Sequence, residues 1–134
     1  MTHQQITLVK QSWNLLREID PELLGDVFYT RLFLKYPALR SLFKHSLVSQ
    51  YKKFIAMLNL IVSRLDQPGI LTEEIRQLAT RHGGYGIKPE HYDEVGTALL
   101  WTLEKGLGKD WNPALYQAWA ACYTRLAREM LENS

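Results

Sequence analysis

The spacing of the apolar residues constrains this chain most. They recur three and four positions apart over long stretches, and proline and glycine come in the gaps between those stretches. An all-α protein follows, because no stretch alternates with the period of two that a strand requires. The first segment, about Thr7 to Ile19, leads from Leu8 into Trp13, Leu16 and Ile19 and stops at Asp20-Pro21-Glu22. Asp20 suits a helix N-cap, where its carboxylate accepts from free backbone N–H groups, and Pro21 suits the first helical position, where no N–H is needed. The second helix, about Pro21 to Lys35, carries Leu23, Leu24, Val27, Phe28, Tyr29, Leu32 and Phe33. That is more than one apolar stripe, so it should be buried on two sides and lie between layers.

Pro37 restarts the chain into a short turn ending at Phe43, and the polar stretch from Lys44 to Ser49 reads as a loop or frayed corner. A third long helix, about Gln50 to Leu65, shows Phe54, Met57, Leu58, Ile61 and Leu65 on one face and ends at Gln67-Pro68-Gly69. Thr72 then caps a helix to His82, with Glu73 and Glu74 in its first turn, where negative charge suits the helix dipole; Gly83 and Gly84 end it. Lys88-Pro89-Glu90 starts the next helix, through Val95, Leu99, Leu100 and Leu103 to Gly106 and Gly108. Asn112-Pro113 starts the last one, through Trp119, Tyr123, Leu126 and Met130. About six helices result, with no repeat and no low-complexity linker, so residues 1–134 are expected to form a single domain.

Composition narrows the function classes. The 134 residues leave room for one domain, so an enzyme carrying its own reductase module is not expected. Sixteen Lys and Arg against fourteen Asp and Glu give a net charge of +2, too small for the electrostatic footprint of a nucleic-acid binder. The lone Cys122 allows no intramolecular disulfide and fits a reducing compartment. No apolar run approaches the ~18 residues of a membrane span, and Met1 to Lys10 lack a signal-peptide core, so a cytoplasmic protein is the expectation.

Enzyme signatures are missing: there is no G-x-S-x-G, no phosphate-loop motif, no H-E-x-x-H and no EF-hand loop. Gly83-Gly84-Tyr85-Gly86 follows a helix where a nucleotide loop would follow a strand, and reads as a helix stop. His3, His45 and His91 lie in polar or terminal contexts that suit solvated side chains. His82 ends a helix whose Ile75, Leu78 and Ala79 lie about a turn back, so its imidazole should point to the same interior as Leu78, either as a satisfied core residue or as a ligand. The Tyr29 hydroxyl, if buried, needs a partner, and a backbone carbonyl would serve. Gln50 is either a surface amide or a group turned inward above Phe54.

Taken together, Phe28-Tyr29 and Leu32-Phe33, Tyr36-Pro37-Ala38-Leu39 with Phe43, Gln50 and Phe54, then His82 with Ile87-Lys88-Pro89-Glu90-His91-Tyr92 and Val95-Gly96 form a pattern. It resembles the bacterial single-domain globins and the globin half of flavohaemoglobins, over nearly the whole chain. The resemblance implies a three-over-three helical sandwich that holds haem b without a covalent bond, with His82 as proximal iron ligand. A neutral imidazole suits that role, and the Leu78 carbonyl would hold its other ring nitrogen. By the same carry-over Phe43 stacks on the porphyrin, Phe54 lies on the distal side, and Ile87 and Val95 close the proximal side. Lys53, Arg81 and His45 are candidates for the propionates or else solvated charges.

Tyr29 and Gln50 match the family's distal pair. A buried donor to the partly charged O2 contributes about 1.5 to 3 kcal/mol, which predicts tight O2 binding with slow release. The resemblance departs at one point. In flavohaemoglobins a tyrosine and a glutamate give the proximal histidine anionic character; Tyr92 fits the tyrosine, but the glutamate falls just beyond Ser134, and neither Glu129 nor Glu132 aligns with it. Tyr92 is therefore read first as an ordinary helix residue. The leading function is reversible O2 binding at a pentacoordinate ferrous iron, with CO and NO as further ligands. The alternatives are NO dioxygenation with an external reductase, gas sensing through a separate protein, and, independent of the family, a haem-free helical interaction module. Neither the oligomeric state nor the physiological gas is legible.

Overall fold

The helices that begin at His3, Pro21, Pro89 and Pro113 start where a side chain takes up free backbone N–H groups or a proline makes them unnecessary; the helix from Leu47 to Ser63 starts without either. The computed structural model describes residues 1–43, 46–67, 73, 75–77, 80 and 88–132. In α1 (His3–Leu16), the Thr2 hydroxyl accepts from Gln5 N at 3.0 Å while the Gln5 side chain accepts from Thr2 N at 3.0 Å. This reciprocal cap starts α1 ahead of the expected Thr7. The helix also stops short of Ile19, because the chain tightens after Leu16 and Ile19 N donates to Leu16 O at 3.0 Å. Helix α2 (Pro21–Lys35) has the expected bounds, with the Asp20 carboxylate accepting from Glu22 N at 3.0 Å. A 3-10 turn follows at Pro37–Leu42.

Helix α3 (Leu47–Ser63) begins inside the stretch expected to be a loop, three residues before Gln50. Its buried stripe is Ile55, Leu58, Ile61 and Val62, whereas Phe54 and Met57 are only partly covered. The stripe is turned from the expected one because α3 packs on α1 as well as on α2. Helix α4 (Pro89–Leu107) ends at Gly108, whose φ of 54° is a conformation glycine adopts without strain. His91 has a structural task at its start: Nδ1 accepts from Lys88 N at 2.9 Å, so it is a helix cap and not only a solvated ring. Helix α5 (Pro113–Glu132) is capped by Asn112, whose Oδ1 accepts from Leu115 N at 2.9 Å. Of the segment expected as a helix from Thr72 to His82, the described positions 73, 75–77 and 80 are helical and Ile75 is buried. The rest of that segment lies outside the described residues.

Two packing seams organise the molecule. α1 lies along α5, where Trp13 and Trp119 meet edge to face with ring centres 6.2 Å apart. α2 packs on both α3 and α4 and so is covered on two sides, although Leu23 and Leu34 stay exposed. Gly25 sets how closely α2 and α3 approach: a Cβ there would sit 2.5 Å from Tyr51 Cβ and 2.9 Å from Tyr51 Cα. At the end of α3, the Arg125 guanidinium of α5 donates to Leu65 O at 3.1 Å and Gln67 O at 3.0 Å. Among the described residues there is no strand, and no helix is long and apolar enough to cross a membrane.

Candidate functional site

The close α2–α3 crossing at Gly25 brings the next turn of α2 against α3, and the aromatic residues of both helices gather there. Tyr29, 5% exposed, sits at the centre. Its ring lies 5.6 Å from Tyr51 in a stacked arrangement, 5.3 Å edge-on from Phe43, 6.0 Å edge-on from Phe54 and 5.8 Å from Phe33. Phe28, one residue earlier, stacks on Phe54 with centres 4.2 Å apart and planes within 10°. Phe43 reaches the cluster from the end of the 3-10 turn, where Arg40 donates to its carbonyl at 3.0 Å and lies over the Phe33 ring.

Among the described residues the Tyr29 hydroxyl has no hydrogen-bond partner, so no backbone carbonyl there fills the role that burial would call for. Burial, helped by the neighbouring Tyr51, pushes its phenol well above the ordinary 10.0, so the group stays a neutral donor at any physiological pH. The other buried handles differ: Trp13 Nε1 donates to Asn59 Oδ1 at 2.6 Å, Trp119 Nε1 to Ser12 Oγ at 2.9 Å, and Tyr123 OH to Tyr92 O at 2.6 Å.

Of the residues singled out from sequence, Tyr29, Phe43 and Phe54 come together. Gln50 stands in the first turns of α3, half-buried, one residue before the Tyr51 that stacks on Tyr29. Lys53 is exposed on α3. Tyr92 is buried and Val95 half-buried on α4, and burial raises the Tyr92 phenol above its ordinary value. His82, Arg81, Ile87, His45 and Leu78 lie outside the described residues. Among the described residues no three His, Cys, Asp or Glu side chains converge as metal ligands. Sequence reasoning missed Phe28 as a ring of the cluster, and Tyr51 and Asp26 altogether. Tyr51 OH donates to Asp26 Oδ1 at 3.2 Å, a pairing between two helices that periodicity cannot foresee.

These residues suit the haem that the sequence pattern implies, on the side they form. Phenyl rings offer a flat macrocycle an apolar wall, and the Tyr29 hydroxyl, without a partner among the described residues, is a donor left for a ligand. A separate cleft of about 450 Å³ between α4 and α5, lined by Asp93, Tyr123, Arg128 and Glu132 among others, shares none of the cluster's side chains.

Comparison with known proteins agrees with this architecture. The family model described as Globin matches residues 26–130. A flavohemoprotein of Xylella fastidiosa is 34% identical over 125 residues, covering 91% of this chain and 31% of its own length. The flavohemoprotein of Bordetella pertussis is 34% identical over 123 residues, covering 90% and 30%. The chain thus spans about a third of the length of these relatives. Among solved structures, a bacterial globin from Campylobacter jejuni superposes with a TM-score of 0.85 at 24% identity, over 98% of this chain and 94% of that one. An engineered carbene transferase, built on a nitric oxide dioxygenase candidate from Rhodothermus marinus, superposes with a TM-score of 0.87 at 28% identity, over 97% and 90%. On the matched family model and this all-α architecture, the chain belongs to the globin family, which implies a haem cofactor and diatomic gas ligands.

Proposed function

We propose that this chain is a cytoplasmic globin domain that holds haem b through His82 and binds O2 reversibly, with the Tyr29 hydroxyl and Gln50 amide as distal donors. Haem iron, when bound, supplies one coordination position at which a diatomic gas is held. The protein's part is selective. A neutral phenol in a ring-lined pocket donates to a partly charged ligand such as O2 and gains little from the less polar CO. Phe28, Phe43 and Phe54 keep water from competing for that donor, and in such surroundings a hydrogen bond is stronger than in water. Ile87 and Val95 would close the opposite face. Lys53 and Arg81 would lie at the rim, where the propionates carry charge.

The observation that carries this reading is Tyr29, a buried tyrosine set among aromatic rings whose hydroxyl has no partner among the described residues. The test begins with the visible spectrum of the hemin-reconstituted protein, reduced without air and then exposed to it, beside His82→Ala. A five-coordinate ferrous spectrum that converts to a long-lived oxygenated form in the parent alone is the expected result; failure to take up one haem per chain overturns it. In Tyr29→Phe, O2 should leave about ten- to a hundredfold faster while CO release stays within a factor of about two.

The flavohemoprotein relatives and the Rhodothermus neighbour favour one second reading, NO dioxygenation with an external reductase. Repeated NO consumption, with recovery of the ferrous state when a flavin reductase is supplied, would support it. A single stoichiometric reaction would support the binder.

A further inference from the structure

A donor is useful only if it is aimed, and no hydrogen bond from the described residues aims the Tyr29 hydroxyl. The ring must be held by what touches it. Phe33, Phe43 and Phe54 are apolar along their whole length, so no side-chain hydrogen bond holds any of them in place. Tyr51 is different. Its ring is the one stacked on Tyr29, with planes 28° apart. Its Cβ and Cα stand so close to Gly25 that a Cβ there would overlap them. At its far end the hydroxyl donates to the Asp26 carboxylate at 3.2 Å, and Asp26 also accepts from Thr30 at 3.4 Å. Tyr51 is thus fastened at both ends to the helix that carries Tyr29. Asp26 lies on the turn preceding Tyr29, so the tether and the ring it steadies share one rigid element. An ion pair, Lys52 to Glu22 at 3.8 Å, spans the same crossing but is exposed and adds little.

We infer that Tyr51 is a positioning residue for the distal donor: clamped between Gly25 and Asp26, it fixes the plane of the Tyr29 ring and so the direction of its hydroxyl. The inference rests on Tyr29 being that donor. Tyr51 itself need not touch a ligand, since its own hydroxyl is spent on Asp26.

The test uses the haem-loaded protein and four variants: Tyr51→Leu, Tyr51→Phe, Tyr29→Phe and the double variant Tyr29→Phe/Tyr51→Leu. O2 and CO release rates are measured beside the C–O stretching band of the CO form, which reports the field of a nearby hydroxyl without any turnover. Tyr51→Leu should speed O2 release about two- to tenfold, the range an aromatic pair spans, and shift or split the C–O band toward the position seen in Tyr29→Phe. Tyr51→Phe, which keeps the ring and loses only the tether, should move both in the same direction by about a third to a half as much on a logarithmic scale. In the double variant the loss of Tyr51 should add nothing to Tyr29→Phe. A further rise there means that Tyr51 acts by keeping water out, which overturns the inference. Release rates and band unchanged in both Tyr51 variants, while Tyr29→Phe alters them, also overturn it. If Tyr29→Phe alters neither, the donor reading itself has failed. Should Tyr51→Leu not fold, Tyr51→Phe alone decides.

Discussion

The α1–α5 seam and the α2–α3 cluster are both built from aromatic residues with polar handles, yet they treat those handles in opposite ways. In the seam each tryptophan N–H has an acceptor, Asn59 of α3 for Trp13 and Ser12 for Trp119, and the Ser12 hydroxyl shares its one proton between the carbonyls of Leu8 and Val9. In the cluster, Tyr29 is equally buried and its hydroxyl has no partner among the described residues. A donor that no described protein group takes up is open to a ligand. The seam serves stability; the cluster keeps one donor for a ligand.

Substitutions can break or sharpen this contrast. The largest effect belongs to the seam: Trp119→Ala empties a fully covered site and should cost about 3 to 5 kcal/mol in denaturant unfolding. The gas-release rates of the protein that remains folded should be unchanged. Next, Gly25→Ala drives a Cβ into the backbone and Cβ of Tyr51, which cannot step aside, and should cost about 1 to 3 kcal/mol. That substitution should also disturb gas release, because the crossing it forces apart carries Tyr29.

A matched pair of hydroxyl deletions goes to the centre of the comparison. Tyr123→Phe removes a hydroxyl that donates to Tyr92 O and should cost about 1 kcal/mol in thermal or denaturant unfolding. Tyr29→Phe removes a hydroxyl with no partner among the described residues and should leave the stability of the haem-free protein level or slightly higher. If both deletions cost the same, the contrast drawn between the two regions is wrong.

A last effect is alkaline. Burial pushes the Cys122 thiol from 9.0 up to about 12, only partly offset by Arg125. Above pH 9 the unfolded chain therefore loses this proton while the folded one keeps it. The associated stability is complete below pH 9 and is lost progressively as pH rises toward about 12. Cys122→Ala should flatten the stability profile in that window, with the raised phenols of Tyr29, Tyr92 and Tyr123 accounting for the slope that stays.

Some of this was legible in the residues alone. Asp20-Pro21 and Asn112-Pro113 start α2 and α5 where expected, because capping is a local event decided within one turn. The start of α1 was misread for an equally local reason: the Thr2–Gln5 box lies ahead of the first strongly apolar position, where periodicity offers no signal. The early start of α3 had a signal in the spacing of Leu47, Tyr51, Phe54 and Leu58, obscured by the polar residues around Leu47. Tyr29, Phe43 and Phe54 were named in advance because their types and spacing match a family pattern. Tyr51 was not, since its importance depends on Gly25 and Asp26, which lie about seven turns of sequence away on another helix.

What the sequence by itself determined is therefore the run of helices, their caps and stops, and the family to which the pattern belongs. These follow from backbone hydrogen bonding and side-chain period, which act over three or four residues. Only the tertiary structure decided which buried polar groups find a partner. That is settled by how closely two helices cross, and here the missing Cβ of Gly25 brings Tyr51 against α2, ties it to Asp26, and lays its ring on a Tyr29 whose hydroxyl is left without one among the described residues.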